Sequence, residues 1–396
     1  MNSVSGRSAM EFFKIPVSGR SARVNKQLEG IFNLGVRGRD AAYEFLFDTG
    51  RKAKYDDYQY EFRGGPCDTL RKKHYDKSLR LLWKAENRAP YLDFKDCTAS
   101  EKQLNEMASQ AMTVEEKAAC KRLSMPEFKE LLNNEYTERE KQAIVSVLSA
   151  IGHGEAYAWL VSAELLTQVK STGARAALTM QVLEEAKHFV VLRELLKAFD
   201  VPIPRLSIWE YILLERVYKA EGLEKFFGMN VLVEGIALSL FGLMSTWPGL
   251  EILRAFHLDE SRHTALPTNY LREFPLTWWQ KKSPRRRMKR LNMVLPALAL
   301  IPLLEEDLAV LGIDAFDFGG SVIRKVSVLA DRAGFLLPVT TDQFLWLLDK
   351  IFNSYCRITR PNHAQRQFSE AETTIGKEEL AVEYEVFFGE AMPSLN

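Results

Sequence analysis

Apolar residues recur at helical spacing through the central part of the chain, while the alternation typical of strands is scarce throughout. A capping box at Thr137–Glu140, in which both side chains satisfy orphan backbone N–H groups, begins a first long helix that we expect to reach about Val169. After a turn at 170–173, a second helix is predicted from Ala174 to Phe199, ending before two prolines. The pattern therefore predicts a helical hairpin.

A second predicted pair of helices follows a crossover segment at 206–221, which has a helical pattern of its own. We expect a third helix over 224–244 and a fourth over 250–271, with the turn 245–249 between them. Further helical patterns occur near 293–311, 320–336 and 341–357. The predicted class is all-α, with a bundle at the centre of the chain.

The first strong helix start lies at Thr113–Glu116, another capping box, and the residues before it show only weak helical patterns. We therefore divide the chain into three parts. These are an N-terminal helical or irregular extension (1–110), a central bundle (111–275) and a C-terminal helical extension packed on the bundle (276–396).

The composition of the 396 residues argues against several classes of protein. A formal net charge of +1 gives no reason to expect a nucleic-acid partner. The four cysteines are far apart and form no CxxC pair, which argues against a disulfide scaffold and favours a reducing cytoplasm. The N-terminus lacks the apolar segment of a signal peptide, and no stretch reaches the ~18 uncharged apolar residues of a transmembrane helix. We expect a cytoplasmic protein.

Two of the six histidines have a glutamate three residues before them, in Glu185–His188 and Glu260–His263. Residues three apart share one face of a helix, so each pair can reach a single metal ion. The preceding helix of each hairpin carries an acid in an apolar setting, Glu155 in the first and Glu234 in the second. The midpoints of the pairs 155/185 and 234/260 fall inside the predicted turns, so each lone glutamate lies level with an ExxH pair.

Four carboxylates in an apolar bundle could not stay ionised and unpaired, but two divalent cations would compensate them. Carboxylate and imidazole suit iron or manganese rather than structural zinc. The predicted metal ligands are Glu155, Glu185, His188, Glu234, Glu260 and His263. Glu164 is an alternative to Glu155, on the opposite helix face, so only one of the two can be a ligand. The hairpin spacing allows either, and the apolar surroundings favour Glu155.

The region 137–271, about a third of the chain, resembles the ferritin-like diiron carboxylate superfamily. Its motifs EEAKH and DESRH are similar to the paired (D/E)ExxH motifs of bacterial diiron oxygenases and acyl carrier protein desaturases. The resemblance implies a ferritin-like four-helix bundle with additional N- and C-terminal helices, two iron ions, or a manganese–iron pair, and the activation of dioxygen. It also implies that Asp259 orients His188 and that Glu184 orients His263.

The sequence departs from this superfamily in two places. Methane-type monooxygenases and the desaturases have a threonine shortly after the third-helix glutamate, where Ala237 and Leu238 stand here, so their proton-delivery scheme does not carry over. The p-aminobenzoate N-oxygenase family has a histidine ligand four residues before the fourth-helix glutamate. His257 lies three residues before Glu260 and is a candidate seventh ligand.

The resemblance implies an oxidoreductase that uses dioxygen on an organic substrate, apolar or carrier-bound, as an oxygenase, N-oxygenase or desaturase. Small residues on the third helix leave room beside the metals for such a substrate: Gly235, Ala237, Ser239 and Gly242. The alternatives are a ferroxidase or other iron-handling protein, a radical-generating oxidase similar to that of ribonucleotide reductase, and a metal-free helical scaffold. We expect a homodimer that receives electrons from a donor protein.

The run 281–290 contains seven basic residues and no acid, and an apolar segment, 293–304, follows it. One interpretation is a solvated loop. The other is a docking surface for an acidic partner, such as a carrier protein, a reductase or an anionic membrane surface. The sequence leaves both open.

Overall fold

A computed structural model describes residues 125–204 and 206–359, together with residues 31, 34, 35, 37–39, 41, 42, 45, 70, 73, 74, 77, 78, 82 and 83. Most of the predicted N-terminal extension and the capping box at 113–116 lie outside the described residues, as does the chain after 359.

The described residues are all-helical and contain no strand. Besides scattered helical residues between 31 and 78, the structure describes ten helices from residue 125 onward. The first five of these are α1 (Met125–Glu135), α2 (Glu138–Leu165), α3 (Thr172–Ala198), α4 (Ile208–Tyr218) and α5 (Glu224–Met244). The other five are α6 (Leu253–Glu273), α7 (Trp278–Lys282), α8 (Pro284–Val310), α9 (Ala315–Ala333) and α10 (Thr341–Thr359). Helix α1 was not anticipated from the pattern.

Two helical hairpins form the centre of the molecule, and both were predicted. In the first, α2 packs along α3, and in the second, α5 packs along α6. The capping box of α2 is confirmed, because Thr137 Oγ1 accepts from the Glu140 backbone and Glu140 accepts from the Thr137 backbone. Helix α3 is capped by Ser171, whose hydroxyl accepts from the backbone of Ala174. Contacts between α3 and α6 join the hairpins into one bundle.

Helix α5 is not a regular α-helix in its first half. A short α-turn at Glu224–Phe226 leads into a π-helical segment, Phe227–Val233, and α-helix resumes at Glu234. The backbone N–H of Glu234 donates to the carbonyl of Met229, the i→i−5 bond of a π turn. The sequence pattern predicted a continuous helix here and did not reveal the wider turns.

The C-terminal helices α8 and α9 pack on the two hairpins. Helix α8 lies against α2 and α4, and α9 lies against α6 and the second half of α5. Helix α8 starts earlier than predicted and stays helical through Pro296 and Pro302. This layer therefore contacts both hairpins, through α2 of the first and through α5 and α6 of the second.

The interpretation of 281–290 as a solvated loop is wrong. The segment lies in α7 and in the first two turns of α8. Arg290 is fully buried and forms a bidentate pair with Glu224, at 2.7 and 2.8 Å. The Arg287 guanidinium donates to the carbonyl of Leu337 at 2.6 Å. Part of the basic run therefore fastens α8 to the bundle instead of facing water.

Two helices, Glu138–Leu165 and Glu224–Met244, are long and apolar enough to cross a membrane by length and composition alone. The buried shares of their most apolar windows are 56% and 83%, and a core helix of a soluble protein passes the same test. The finding therefore carries little weight.

Candidate metal centre

Six side chains meet between the two hairpins. Their ligand atoms form two groups, each with all atoms within 4.8 Å of one another. The first group is Glu155, Glu185, His188 and Glu260, and the second is Glu185, Glu234, Glu260 and His263. Glu185 and Glu260 belong to both groups, so these two carboxylates lie between the two positions that a metal could occupy.

Each histidine turns its Nδ1 atom toward the carboxylates. His188 Nδ1 lies 3.0 Å from Glu260 Oε1 and 3.5 Å from Glu155 Oε2. His263 Nδ1 lies 2.9 Å from Glu260 Oε2 and 3.2 Å from Glu185 Oε1. All six side chains are at most 3% exposed. The helical hairpins thus bring together, in a dry interior, the residues that the sequence pattern selected.

The opposite ring nitrogens are held by the acids that precede the shared glutamates. His188 Nε2 donates to Asp259 Oδ2 at 3.1 Å, and His263 Nε2 donates to Glu184 Oε2 at 2.9 Å. Arg262 bridges these two acids from between them. Because the carboxylates of Asp259 and Glu184 hold Nε2, Nδ1 is the ring atom that faces the cluster and that would offer its lone pair to a metal once the metal displaces its proton.

Two amides at the rim of the cluster were missed by the sequence analysis. Gln181 Nε2 donates to Glu185 Oε1 at 3.1 Å and reaches Glu234 Oε1 at 3.4 Å. The other end of Gln181 accepts from Asn230 Nδ2 at 2.9 Å, and Asn230 lies in the π-helical segment. Gln181 precedes Glu185 by one helical turn, and that spacing was the one signal that could have suggested it.

Burial makes it costly to ionise this cluster. Burial raises the pKa of Glu155 and Glu234 well above the ordinary carboxyl value, and neighbouring carboxylates add to both shifts. Burial opposes the ionisation of Glu185 and Glu260 too, but the histidines hold the pKa of each below its ordinary value. Burial lowers the pKa of the histidines, and the surrounding carboxylates raise it by more. The cluster can shed its protons only where other positive charge replaces them.

Within the part of the chain that the structure describes, four ligand atoms make no hydrogen bond of good geometry, although His188 Nδ1 lies 3.0–3.7 Å from the other three: Glu155 Oε2, Glu185 Oε2, His188 Nδ1 and Glu260 Oε1. A buried polar atom without a partner costs ~1–3 kcal/mol. Coordination to a cation would remove that cost at all of these atoms, and the donor set of carboxylate and imidazole suits iron or manganese. The residues present therefore fit a pair of divalent metals.

Two other candidates lie outside the cluster. Glu164, the alternative to Glu155, is 45% exposed and pairs with Lys225 Nζ at 2.7 Å. His257, the candidate seventh ligand, belongs to neither group of ligand atoms. Its Nδ1 donates to the carbonyl of Leu238 at 3.0 Å, and burial lowers its pKa to about 4. The structure does not bring either residue to the other six.

A cavity of about 120 Å³ adjoins the cluster between the hairpins and the C-terminal layer. Glu155 and Glu234 form part of its wall, and the only other polar lining side chains among the described residues are Glu210 and Ser327. The rest of the lining is apolar and comes mainly from α2, α5, α8 and α9. Of the small residues expected to leave room, Ala237 lines the cavity, whereas Val326 closes over Gly235.

Comparisons of the chain with family models, with curated proteins and with solved structures found no match.

Proposed function

We propose that this protein is a ferritin-like, non-haem diiron oxidoreductase that uses dioxygen to oxidise an apolar organic substrate, free or attached to a carrier. The observation that carries the proposal is the pair of ligand groups that share Glu185 and Glu260 in a dry bundle. A pair of iron ions bound there would supply the redox chemistry with dioxygen. The protein supplies the ligands, the dry surroundings and the placement of the substrate.

The ligands are held in place before any metal arrives. Asp259 and Glu184 fix the tautomer and the ring orientation of His188 and His263. Arg262 compensates part of the charge of both acids, and they in turn raise its pKa although its burial lowers it. Gln181 sets the rotamer of Glu185 from the other side. Because the ligands are already oriented, little reorganisation would oppose metal binding at this site.

The cavity favours an organic substrate over iron alone. An engineered apolar protein cavity of ~150 Å³ takes a benzene-sized molecule, so ~120 Å³ suits a small ring or one segment of an alkyl chain. The two glutamates in its wall, Glu155 and Glu234, each belong to a different ligand group. A substrate in this cavity would therefore lie beside both metal positions, against mainly apolar side chains. A ferroxidase would not need such an apolar space.

The first experiment is an anaerobic titration of the metal-free protein with ferrous iron. We expect two irons per chain, released by a chelator, and an absorption change when dioxygen is admitted. A protein that takes up no metal would be a helical scaffold, and the proposal would fail.

The second experiment separates an oxygenase from an iron-handling protein. Ala297 lies in α8 on the cavity wall, distant in sequence from the ligands, and Ala297→Phe should fill the space. We expect the wild-type protein to bind a benzene-sized apolar probe and the variant to lose about tenfold or more of that affinity, with unchanged iron content. Rapid iron oxidation with no probe binding in the wild-type protein would favour the ferroxidase.

A further inference from the structure

The first turns of the C-terminal layer expose an unusual combination of side chains. Trp278 is 60% exposed and Trp279 is 69% exposed, although they are neighbours and pack against each other edge to face at 4.8 Å. The exposed basic residues Lys282, Arg285 and Lys289 follow them, with Met288, 54% exposed, in between. We call the six residues the Trp–basic face: Trp278, Trp279, Lys282, Arg285, Met288 and Lys289.

The charge of this face is of one sign. No acidic residue occurs from Phe274 to Leu304. Of the seven cations in 281–290, Arg290 is buried against Glu224, and Arg287 is held by a backbone carbonyl. Within the described part of the chain, Lys289 pairs with Glu221 at 3.6 Å, and both side chains are exposed. The structure thus separates the basic run into cations that fasten α8 and cations that face outward beside two tryptophans.

We propose that the Trp–basic face binds the surface of an anionic lipid membrane. Tryptophan prefers the boundary between headgroups and acyl chains, because its ring is apolar and its N–H is polar. Lysine and arginine next to it gain ~1 kcal/mol each from an anionic surface. The face lies at a helix turn on the outside of the fold, with no helix of the described residues covering it.

Other occupants fit the face less well. In a two-fold symmetric dimer a patch near the axis meets its own copy, so the cations of the face would oppose cations. An acidic protein would match the charge, but it would give no reason for two adjacent exposed tryptophans with Met288 beside them. Lipid accounts for both the charge and the apolar rings.

Docking would also place α8 against the membrane. Further along the same helix Leu295 is 49% exposed, whereas its neighbour Val294 lines the cavity. A helix is ~10 Å across, so the apolar cavity would then lie within about one helix diameter of the lipid. The binding itself does not depend on metal and can be measured with metal-free protein.

The test is sedimentation of the full chain with vesicles at physiological ionic strength. We expect binding to mixed phosphatidylcholine–phosphatidylglycerol vesicles and at least tenfold weaker binding to phosphatidylcholine alone. The double variant Trp278→Ala, Trp279→Ala should lose about tenfold or more. The double variant Lys282→Gln, Arg285→Gln should lose roughly 30-fold. Because all four side chains are exposed, neither variant should lower the unfolding temperature.

Matched controls use equally exposed residues elsewhere. Trp346 on α10 is 61% exposed, and Arg193 and Lys197 on α3 have side chains that are 51% and 54% exposed. Trp346→Ala and the pair Arg193→Gln, Lys197→Gln should leave vesicle binding unchanged. The proposal is overturned if wild-type protein binds no anionic vesicle, or if the tryptophan variant binds as well as wild type. A solution dimer that the same variants dissociate would assign the face to a second copy instead.

Discussion

Two buried groups of charges in this protein differ in whether they are balanced by the protein's own residues. At the N-terminus of α5, the carboxylate of Glu224 accepts from Arg290 at both of its oxygens. Arg286 adds a contact to the same carboxylate at 3.4 Å. Between the hairpins, four glutamates surround two histidines and leave ligand atoms without hydrogen bonds. The first group has its full counter-charge in the sequence, whereas the second has only two histidines for four glutamates.

The difference separates structure from function. Arg290 also donates to two backbone carbonyls and lies over the ring of Phe335 at 5.1 Å, so its guanidinium is satisfied on every side. Nothing further is needed to keep Glu224 buried. In the glutamate–histidine cluster, the proposed function implies that stability is given up for a concentration of acceptors that external cations could use. The feature that distinguishes the candidate metal site is therefore its excess of buried carboxylates over buried cationic side chains.

The largest expected effect comes from breaking the balanced group. Arg290→Ala should lower the free energy of unfolding by ~3–5 kcal/mol, because it leaves Glu224 buried without a counter-charge. Chemical denaturation measures this directly. The matched control is Arg286→Ala, whose side chain is 28% exposed and whose loss should cost at most ~1 kcal/mol. Equal effects of the two substitutions would show that burial does not decide the cost.

Removing a carboxylate from the glutamate–histidine cluster should not lower the free energy of unfolding of the metal-free protein, in contrast to Arg290→Ala. Burial and Glu185 already raise the pKa of Glu234, so Glu234→Gln removes a group that resists ionisation. We expect the metal-free variant to be as stable as wild type or more stable. The variant should bind one metal fewer per chain. It should therefore lose the stabilisation against unfolding that this metal gives, ~2.7 kcal/mol when the free metal concentration is 100 times the dissociation constant.

Thermal unfolding with and without metal, together with metal analysis, tests this pair of outcomes. Glu306→Gln, at a side chain that is 88% exposed, is the control and should change neither quantity. A metal-free Glu234→Gln protein that is less stable than wild type by several kcal/mol would contradict the idea of an excess of buried acid.

A smaller effect is expected from the acids behind the histidines. Asp259→Asn should weaken metal binding ~10–100-fold, because partners of ligating histidines typically contribute that much. Glu184→Gln, the equivalent change on the other histidine, should weaken binding by a similar factor. Competition with a chelator measures both. If either variant bound metal as tightly as wild type, its hydrogen bond to the histidine would have no part in the site.

The smallest effect on metal is expected at His257. Its ring donates to the carbonyl of Leu238, so His257→Gln should cost ~1 kcal/mol of stability for the lost hydrogen bond. Metal stoichiometry should stay the same as in wild type. A fall in metal content would identify His257 as a ligand that moves to the cluster when metal binds.

Much of the site was predictable because helical hairpins obey simple geometry. Equal distance from a turn placed Glu155 beside Glu185 and Glu234 beside Glu260, and the apolar surroundings separated Glu155 from Glu164. The alternative could be rejected only when the structure showed Glu164 paired with Lys225. That the clustered residues bind metal remains a prediction.

Other features depend on packing between parts of the chain that are distant in sequence. The burial of Arg290 requires Glu224, 66 residues away, and a run of basic residues looks the same whether or not such a partner exists. The cavity is likewise made by helices from both halves of the described chain. Periodicity records which face of a helix is apolar, but not what covers that face.

The π-helical turns before Glu234 hold more residues per turn than ordinary α winding does. One residue fewer within Phe227–Val233 would therefore let the backbone return to α winding while Glu234 and the helix after it keep their position. Asn230 lies inside these turns, and its side chain donates to Gln181, which in turn reaches Glu234. We therefore expect such a deletion to move the amides beside the cluster and to leave the carboxylate of Glu234 in place.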